Sequence, residues 1–98
     1  MSAVPHRILD DVQELRKEAG RWLKELREAK SLSQRQVAEA TGTEYYTFVS
    51  QLETGRGRIA PEKYEAWAKT FGIEPKLFVK TLLRYYDPVT YEILFPQS

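Results

Sequence analysis

Cysteine is absent from this 98-residue chain, and histidine occurs once, at His6. Without cysteine there is no disulfide scaffold and no thiolate zinc site. A single histidine leaves no histidine-based catalytic triad and no histidine cluster for a metal ion. The GRG segment at residues 55–57 follows no predicted strand, so it does not fit a nucleotide-binding loop. We therefore expect no catalytic residues, no metal and no cofactor, in a protein that is not an enzyme.

Long apolar runs are also missing. No segment is apolar over the length that spans a bilayer, and the opening MSAVPHR lacks the apolar core of a secretory signal. A chain of this length fits one domain and leaves no room for a separate ligand-binding domain. We therefore expect a cytoplasmic protein with no membrane contact and no small-molecule ligand.

Neither sign of charge dominates, because 15 basic and 14 acidic residues give a net charge of +1. The charged residues are nevertheless unevenly distributed along the chain. Acidic side chains gather between residues 10 and 18, whereas many basic ones surround residues 33–58. The latter are Arg21, Lys24, Arg27, Lys30, Arg35, Arg56 and Arg58. Two interpretations stay open: cations placed for phosphate groups, or an ordinary solvated surface.

Two short amphipathic helices joined by a glycine turn are predicted over residues 33–54. Ser33 and Gln36 form a capping box at the first helix start, and Gly42 tolerates the positive φ that ends it. The second helix is predicted over residues 44–54, with its start near Thr43 or Glu44. Its apolar face, expected in the core, carries Tyr45, Phe48, Val49 and Leu52. Its polar face carries Tyr46, Thr47, Ser50, Gln51 and Thr54.

The polar face is suited to nucleic acid. Its uncharged side chains donate and accept hydrogen bonds and are short or planar, as needed to meet base edges in a major groove. Arg56 and Arg58 follow in a glycine-flanked loop, where cations can meet phosphates beside the groove. The pattern therefore predicts a helix-turn-helix unit that places one helix against DNA.

The run LREAKSLSQRQVAEATGTEYYTFVSQLETGRGRIAP from Leu26 resembles the helix-turn-helix domain of the Xre/Cro-like regulators, which include the lambdoid phage repressors. The positions that fill the family pattern are Ser33, Gln34, Ala38, Gly42, Leu52, Glu53, Gly55 and Arg56. The resemblance covers residues 22–78. It implies an all-α, lambda-repressor-like bundle that binds double-stranded DNA.

The resemblance also implies roles for individual residues. The base-reading positions would be Tyr46, Thr47 and Gln51, with Ser50 beside them. Gln34 would hold a phosphate at the start of the first motif helix, and the other candidate phosphate contacts are Arg35, Arg56 and Arg58. Arg27 and Glu53 match a pair that in some family members forms a partly buried ion pair between the first helix and the recognition helix.

One departure from the family pattern concerns the turn. From Gly42 to Glu53 this chain has one more residue than the common pattern. Placing that residue in the turn keeps Val49 and Leu52 in the core. Tyr45 and Tyr46 then compete for the same base-reading position, so both are candidates for base contact.

Further helices are predicted on both sides of the motif, about five in all over residues 8–86. Residues 1–7 are expected to be flexible. Apolar residues from Ile8 to Ala29 alternate at spacings of four and three, which predicts one long helix or two broken near Gly20. The first half of this region either forms a dimer contact or packs on its own chain. Prolines at 61 and 75 open two later helices, the second with Leu77 facing inward.

The tail at residues 87–98, DPVTYEILFPQS, is apolar and β-branched with proline at both ends. We expect an extended or β segment. A lone strand leaves its backbone hydrogen bonds unmade, so either a second copy pairs with it across a dimer axis or its side chains fold back on the helices. The candidate dimer-interface residues are Tyr91, Ile93, Leu94 and Phe95.

Together these patterns favour a sequence-specific transcriptional regulator. We expect a repressor that binds an inverted-repeat operator as a homodimer, in the cytoplasm with the nucleoid. Two alternatives stay open and require a protein partner. One is an antitoxin that autoregulates a toxin–antitoxin pair, and the other is a protein-interaction module on a helix-turn-helix scaffold, in which the exposed tyrosines form a contact patch.

Overall fold

A computed structural model describes residues 5–96 of the chain, with side chains from residue 11. This part of the chain is all-helical and contains no strand, which confirms the all-α prediction. The helices are α1 (Pro5–Ala29), α2 (Gln34–Thr41), α3 (Tyr46–Glu53), α4 (Tyr64–Phe71), α5 (Pro75–Tyr86) and α6 (Pro88–Leu94). A 3-10 turn at Pro61–Lys63 leads into α4. Residues 1–4 of the segment expected to be flexible lie outside the described part.

The first helix is continuous over 25 residues, although Gly20 lies in its interior. A Cβ at Gly20 would lie 2.3 Å from the backbone oxygen of Glu53, at the end of α3. Only glycine allows two helices to approach so closely. Gly20 therefore marks the crossing of α1 and α3 rather than a break in the helix, and Ala19 and Leu23 are fully buried beside it.

The core lies between α1, α2, α4 and α5, with the apolar side of α3 against it. Its largest fully buried side chains are Trp67, Phe78, Leu23, Leu52, Ile59, Leu82, Val37 and Val49. Trp22 stacks on Phe78 with ring centroids 5.4 Å apart. Burying one side chain of this size contributes about 1.5–3 kcal/mol. Both tryptophans thus belong to the packing of the bundle.

Arg27 and Glu53 form a bidentate ion pair between α1 and the end of α3. Arg27 donates from Nε to Glu53 Oε2 at 2.6 Å and from Nη2 to Oε1 at 3.1 Å. It also donates from Nη1 to the Leu32 carbonyl oxygen at 2.9 Å, and Gln34 Nε2 donates to Glu53 Oε1 at 3.0 Å. The two side chains are only 12% and 6% exposed. The hydrogen bond to Glu53 raises the pKa of Arg27.

The expected extended or β segment at the C-terminus is wrong, because Pro88–Leu94 forms α6. Asp87 caps this helix: its Oδ1 accepts from Thr90 N at 3.2 Å, and its Oδ2 accepts from the Thr90 hydroxyl at 2.6 Å. These two bonds lower the pKa of Asp87. Pro88 occupies the first turn, where a missing N–H is tolerated. The Asp-Pro pair that ends α5 therefore also starts α6.

The apolar side chains of α6 divide between two sides. Tyr91 and Phe95 are half-buried and lie close to each other, with Arg84 and Lys80 of α5 over their rings at 5.8 and 4.6 Å. Ile93 is 73% exposed, and Val89 and Leu94 are exposed with it. Leu77 of α5 is exposed too, so its predicted inward position is wrong.

Replacing Arg27 by methionine tests how much the ion pair contributes to stability. Arg27→Met keeps most of the side-chain volume and leaves the Glu53 carboxylate with Gln34 as its remaining side-chain partner among the described residues. An uncompensated buried charge is strongly destabilising, so we expect the free energy of unfolding to fall by about 3 kcal/mol. Urea denaturation followed by circular dichroism measures it.

Arg21→Met is the matched control, because Arg21 faces Glu14 at 3.9 Å in a pair that is exposed on both sides. Exposed pairs contribute little, so the control is expected to lose about 0.5 kcal/mol. Equal losses in the two variants would contradict a structural role of the Arg27–Glu53 pair.

Candidate nucleic-acid interface

The first motif helix, α2, begins and ends as its sequence predicts. Ser33 Oγ accepts from Gln36 N at 3.0 Å, and Gln36 Oε1 accepts from Ser33 N at 2.8 Å, which completes the capping box. Gly42 lies in the left-handed region with φ 70°. Val37 and Ala38 are buried on the core side. This confirmed local geometry fixes where the chain turns toward α3.

The second motif helix starts later than expected, at Tyr46 rather than at Thr43 or Glu44. Thr43 instead closes the previous helix, because its N–H donates to the Ala38 carbonyl oxygen at 2.8 Å. Tyr45 is the N-cap residue in an extended conformation and is 65% exposed. Its predicted place on the apolar face is therefore wrong. The turn between the two helices spans residues 42–45, and Tyr46 is the first residue of α3.

The two sides of α3 differ sharply. Val49 and Leu52 are buried, and Phe48 packs against the core cluster. The polar face is exposed at Tyr46, Thr47, Gln51 and Thr54 and half-buried at Ser50. The predicted base-contact side chains of α3 therefore lie together on one largely accessible surface.

Arg35 and Gln34 lie at the start of α2. The Arg35 guanidinium lies over the Tyr46 ring at 4.3 Å, a cation–π contact that holds the cation beside the polar face. The Gln34 amide donates to Glu53 at 3.0 Å and is half-buried. Gln34 therefore joins the ion-pair network while it keeps a partly accessible side chain.

Beyond α3, Arg56 and Arg58 are exposed in the loop that follows. Arg58 lies over the Tyr86 ring at 4.9 Å. Tyr86 is buried at the end of α5, and its hydroxyl accepts from Ile59 N at 3.4 Å. Burial raises the pKa of Tyr86 to about 12. Tyr86 thus supports the loop that carries Arg58. Sequence reasoning missed this role, because nothing in a C-terminal Tyr-Tyr pair indicates which loop it contacts.

The assembled surface is a polar helix face with cations near both ends: Arg35 at the start of α3, Arg56 and Arg58 after its end. Such a face can hydrogen-bond to base edges while the cations meet phosphates. Among the side chains that the structure describes, no group of three or more metal-binding residues comes together. Over the same part of the chain, no helix is both long and apolar enough to cross a membrane.

Comparison with known proteins identifies the domain. No curated protein matches the chain at a significant level. The sequence model of the helix-turn-helix family matches residues 23–78, from the second half of α1 into the first turn of α5, which is more than half of the chain. The match is consistent with the Xre/Cro-like resemblance. The chain belongs to the helix-turn-helix family, whose domain is a DNA-binding regulatory one.

Proposed function

We propose that this protein is a sequence-specific transcriptional repressor that reads its operator through α3. The observation that carries the proposal is the asymmetry of this helix. Its apolar side packs into the core, while its polar side is largely exposed to solvent. Insertion of the uncovered side into a major groove would occupy the operator and block polymerase access. The place of action would be the nucleoid, in the cytoplasm.

Base contacts are assigned to the polar face and its N-cap. A glutamine amide can bond bidentately to adenine, which makes Gln51 the strongest candidate for direct readout. Tyr46, Thr47 and Ser50 lie along the same face and would contact neighbouring base pairs. Tyr45 extends from the N-cap and would reach the groove edge.

Phosphate contacts are assigned to the two ends of α3. Eight residues span about 12 Å, close to the width of the major groove, so a helix crossing the groove ends near both walls. At the first end, Gln34 and Arg35 would contact one strand. At the other end, Arg56 and Arg58 would contact the opposite strand.

A homodimer is the proposed binding form, with α6 rather than a strand at its interface. Val89 and Ile93 are four residues apart in α6 and both exposed, and Leu94 and Leu77 add exposed apolar surface. A second copy related by a two-fold axis would bury these side chains and present two copies of α3 to an inverted repeat. With a net charge of only +1, the protein would depend on the dimer for operator affinity.

An antitoxin is the second candidate, and the same exposed apolar side chains favour it. Val89, Ile93 and Leu94 would then be covered by a toxin instead of a second copy of this chain. DNA binding through α3 would remain, as autoregulation. The oligomeric state of the purified protein distinguishes the two candidates.

Selection of bound fragments from a random double-stranded pool tests the proposed function. We expect an inverted repeat with half-sites about one helical turn apart. Gel-shift titrations of the selected site at several salt concentrations then give its specificity over unrelated DNA. Recovery of no sequence-selective complex would contradict the proposal.

Replacing Gln51 by alanine should relax base choice at one position of each half-site. Loss of one bidentate contact costs about 1–3 kcal/mol of discrimination, while binding to unrelated DNA stays unchanged because the net charge does not change. Competition gel shifts with single-base operator variants measure the effect. Glu65→Ala, at an exposed position of α4, is the control and should leave base preference intact. An unchanged base preference in Gln51→Ala would show that Gln51 makes no base-specific contact.

Replacing Ile93 by glutamate should produce a monomer. The side chain is 73% exposed, so the substitution leaves the fold of the subunit intact. A charge buried in an apolar interface is strongly unfavourable. Sedimentation velocity at micromolar concentration should show a dimer for the wild type and a monomer for Ile93→Glu, which also loses operator affinity. Glu92→Gln, exposed on the same helix, should remain a dimer. A dimer in both variants would exclude α6 from the interface.

A further inference from the structure

A cleft of about 490 Å³ lies between the first half of α1 and the loop after α3, and we call it the α1–loop cleft. Its polar lining comes from Gln13, Arg16 and Lys17 of α1 and from Thr54 and Arg56 of the loop. Three of these side chains are cations. The lining that the structure describes includes no carboxylate, so the cleft has the charge of an anion site.

The loop rests directly on the helix backbone at this cleft. Gly55 has φ 83°, and a Cβ there would lie 2.9 Å from the Lys17 backbone nitrogen. A side chain at position 55 would thus both be strained and collide with α1. Glycine at position 55 therefore lets the loop approach the α1 backbone closely, which brings Arg56 of the loop and Lys17 of α1 to the same cleft.

Arg16 carries a buried donor without an acceptor. Its Nε is inaccessible to solvent and has no hydrogen-bond partner among the described residues, while its guanidinium lies 5.9 Å from the Tyr86 ring. Buried polar groups are nearly always hydrogen-bonded in native proteins. The Nε itself is too deeply buried to meet a ligand in the cleft. The Arg16 side chain as a whole is only partly buried and lines the cleft, so its terminal guanidinium nitrogens are the groups available to an anion.

The cleft opens where the polar face of α3 ends. Thr54 follows Ser50 by one helical turn, and its hydroxyl donates to the Ser50 carbonyl oxygen at 3.0 Å. Thr54 thus continues the polar face into the cleft wall. A helix that places this face on base edges brings its own end close to a phosphate strand.

Half of the cleft lies outside the segment that matches the family. Arg16 and Lys17 precede residue 23, where the helix-turn-helix match begins, whereas Thr54 and Arg56 lie within it. The first half of α1 therefore adds cations to a loop of the shared domain. The resulting site belongs to this chain rather than to the family pattern.

We propose that the α1–loop cleft binds a phosphate of the DNA backbone at the C-terminal end of α3, through Arg16, Lys17 and Arg56. The inference rests on the proposed DNA binding and extends the contact surface to α1. Free phosphate has the same chemistry. DNA is the assigned source because Thr54 and Arg56 connect the cleft to the polar face.

Lys17→Gln is the test variant, since Lys17 is exposed and its replacement removes one charge without opening the core. Loss of one phosphate contact should reduce the slope of log K against log salt by about 0.9. Affinity should fall by the same factor for operator and unrelated DNA. Lys69→Gln, an exposed lysine of α4 with the same charge change, should keep the wild-type slope. Fluorescence anisotropy at four salt concentrations gives the slopes.

Arg16→Gln is the second variant, and it should reduce the slope by a similar amount. Because Arg16 also contacts Tyr86, the unfolding curve of the Arg16→Gln variant is recorded as well, to check that the variant is folded. Wild-type slopes in folded Lys17→Gln and Arg16→Gln proteins, with operator binding retained, would overturn this inference alone. A wild-type protein that binds no DNA would overturn the proposed function together with it.

A separate arm distinguishes the source of the phosphate. Inorganic phosphate alone is titrated into the isotope-labelled protein, and the amide signals of Lys17 and Gly55 are followed by NMR. Saturable shifts combined with an unchanged salt slope in both variants would assign the cleft to a free anion and overturn its assignment to DNA. A reduced salt slope in both variants supports the assignment of the cleft to a DNA phosphate, whether or not inorganic phosphate also binds there.

Discussion

The crossing of α1 over the C-terminal end of α3 is the constraint on which the rest of the structure depends. Gly20 permits the backbones to touch, and the Arg27–Glu53 pair holds them at that distance. Gln34 adds the start of α2 to the same network. Three helices are thereby fixed around one carboxylate. Because two charges are nearly buried, the arrangement tolerates little displacement before one of them loses its partner.

This constraint explains why α3 can present a polar surface. Val49 and Leu52 face the core, and Glu53 is held by α1, so the remaining side of the helix points away from the bundle. Recognition surfaces need side chains whose positions are set before the partner arrives. Here the orientation is set by a glycine contact and an ion pair at the C-terminal end of the helix, away from the exposed side chains Thr47 and Gln51. The same crossing brings the first half of α1 beside the loop at Gly55.

The C-terminal region shows how one sequence signal can carry two meanings. Asp-Pro marks a helix end, and β-branched residues after it favour a strand. The same aspartate caps a new helix through Thr90, and Pro88 fits its first turn. A seven-residue helix has little intrinsic stability in water. Packing of Tyr91 and Phe95 beside α5, with Lys80 over the Phe95 ring, therefore helps to hold it.

The sequence by itself determined the helical class of the chain up to α5, the boundaries of α2 and the division of α3 into two sides, because caps, glycine turns and helical periodicity act within a few residues. The start of α3 at Tyr46 and the exposure of Tyr45 became known only from the structure, and tertiary packing alone decided the contact between Arg58 and Tyr86. That contact joins residues that lie far apart in the chain. Contacts between residues far apart in the chain leave no local pattern, so packing settled them.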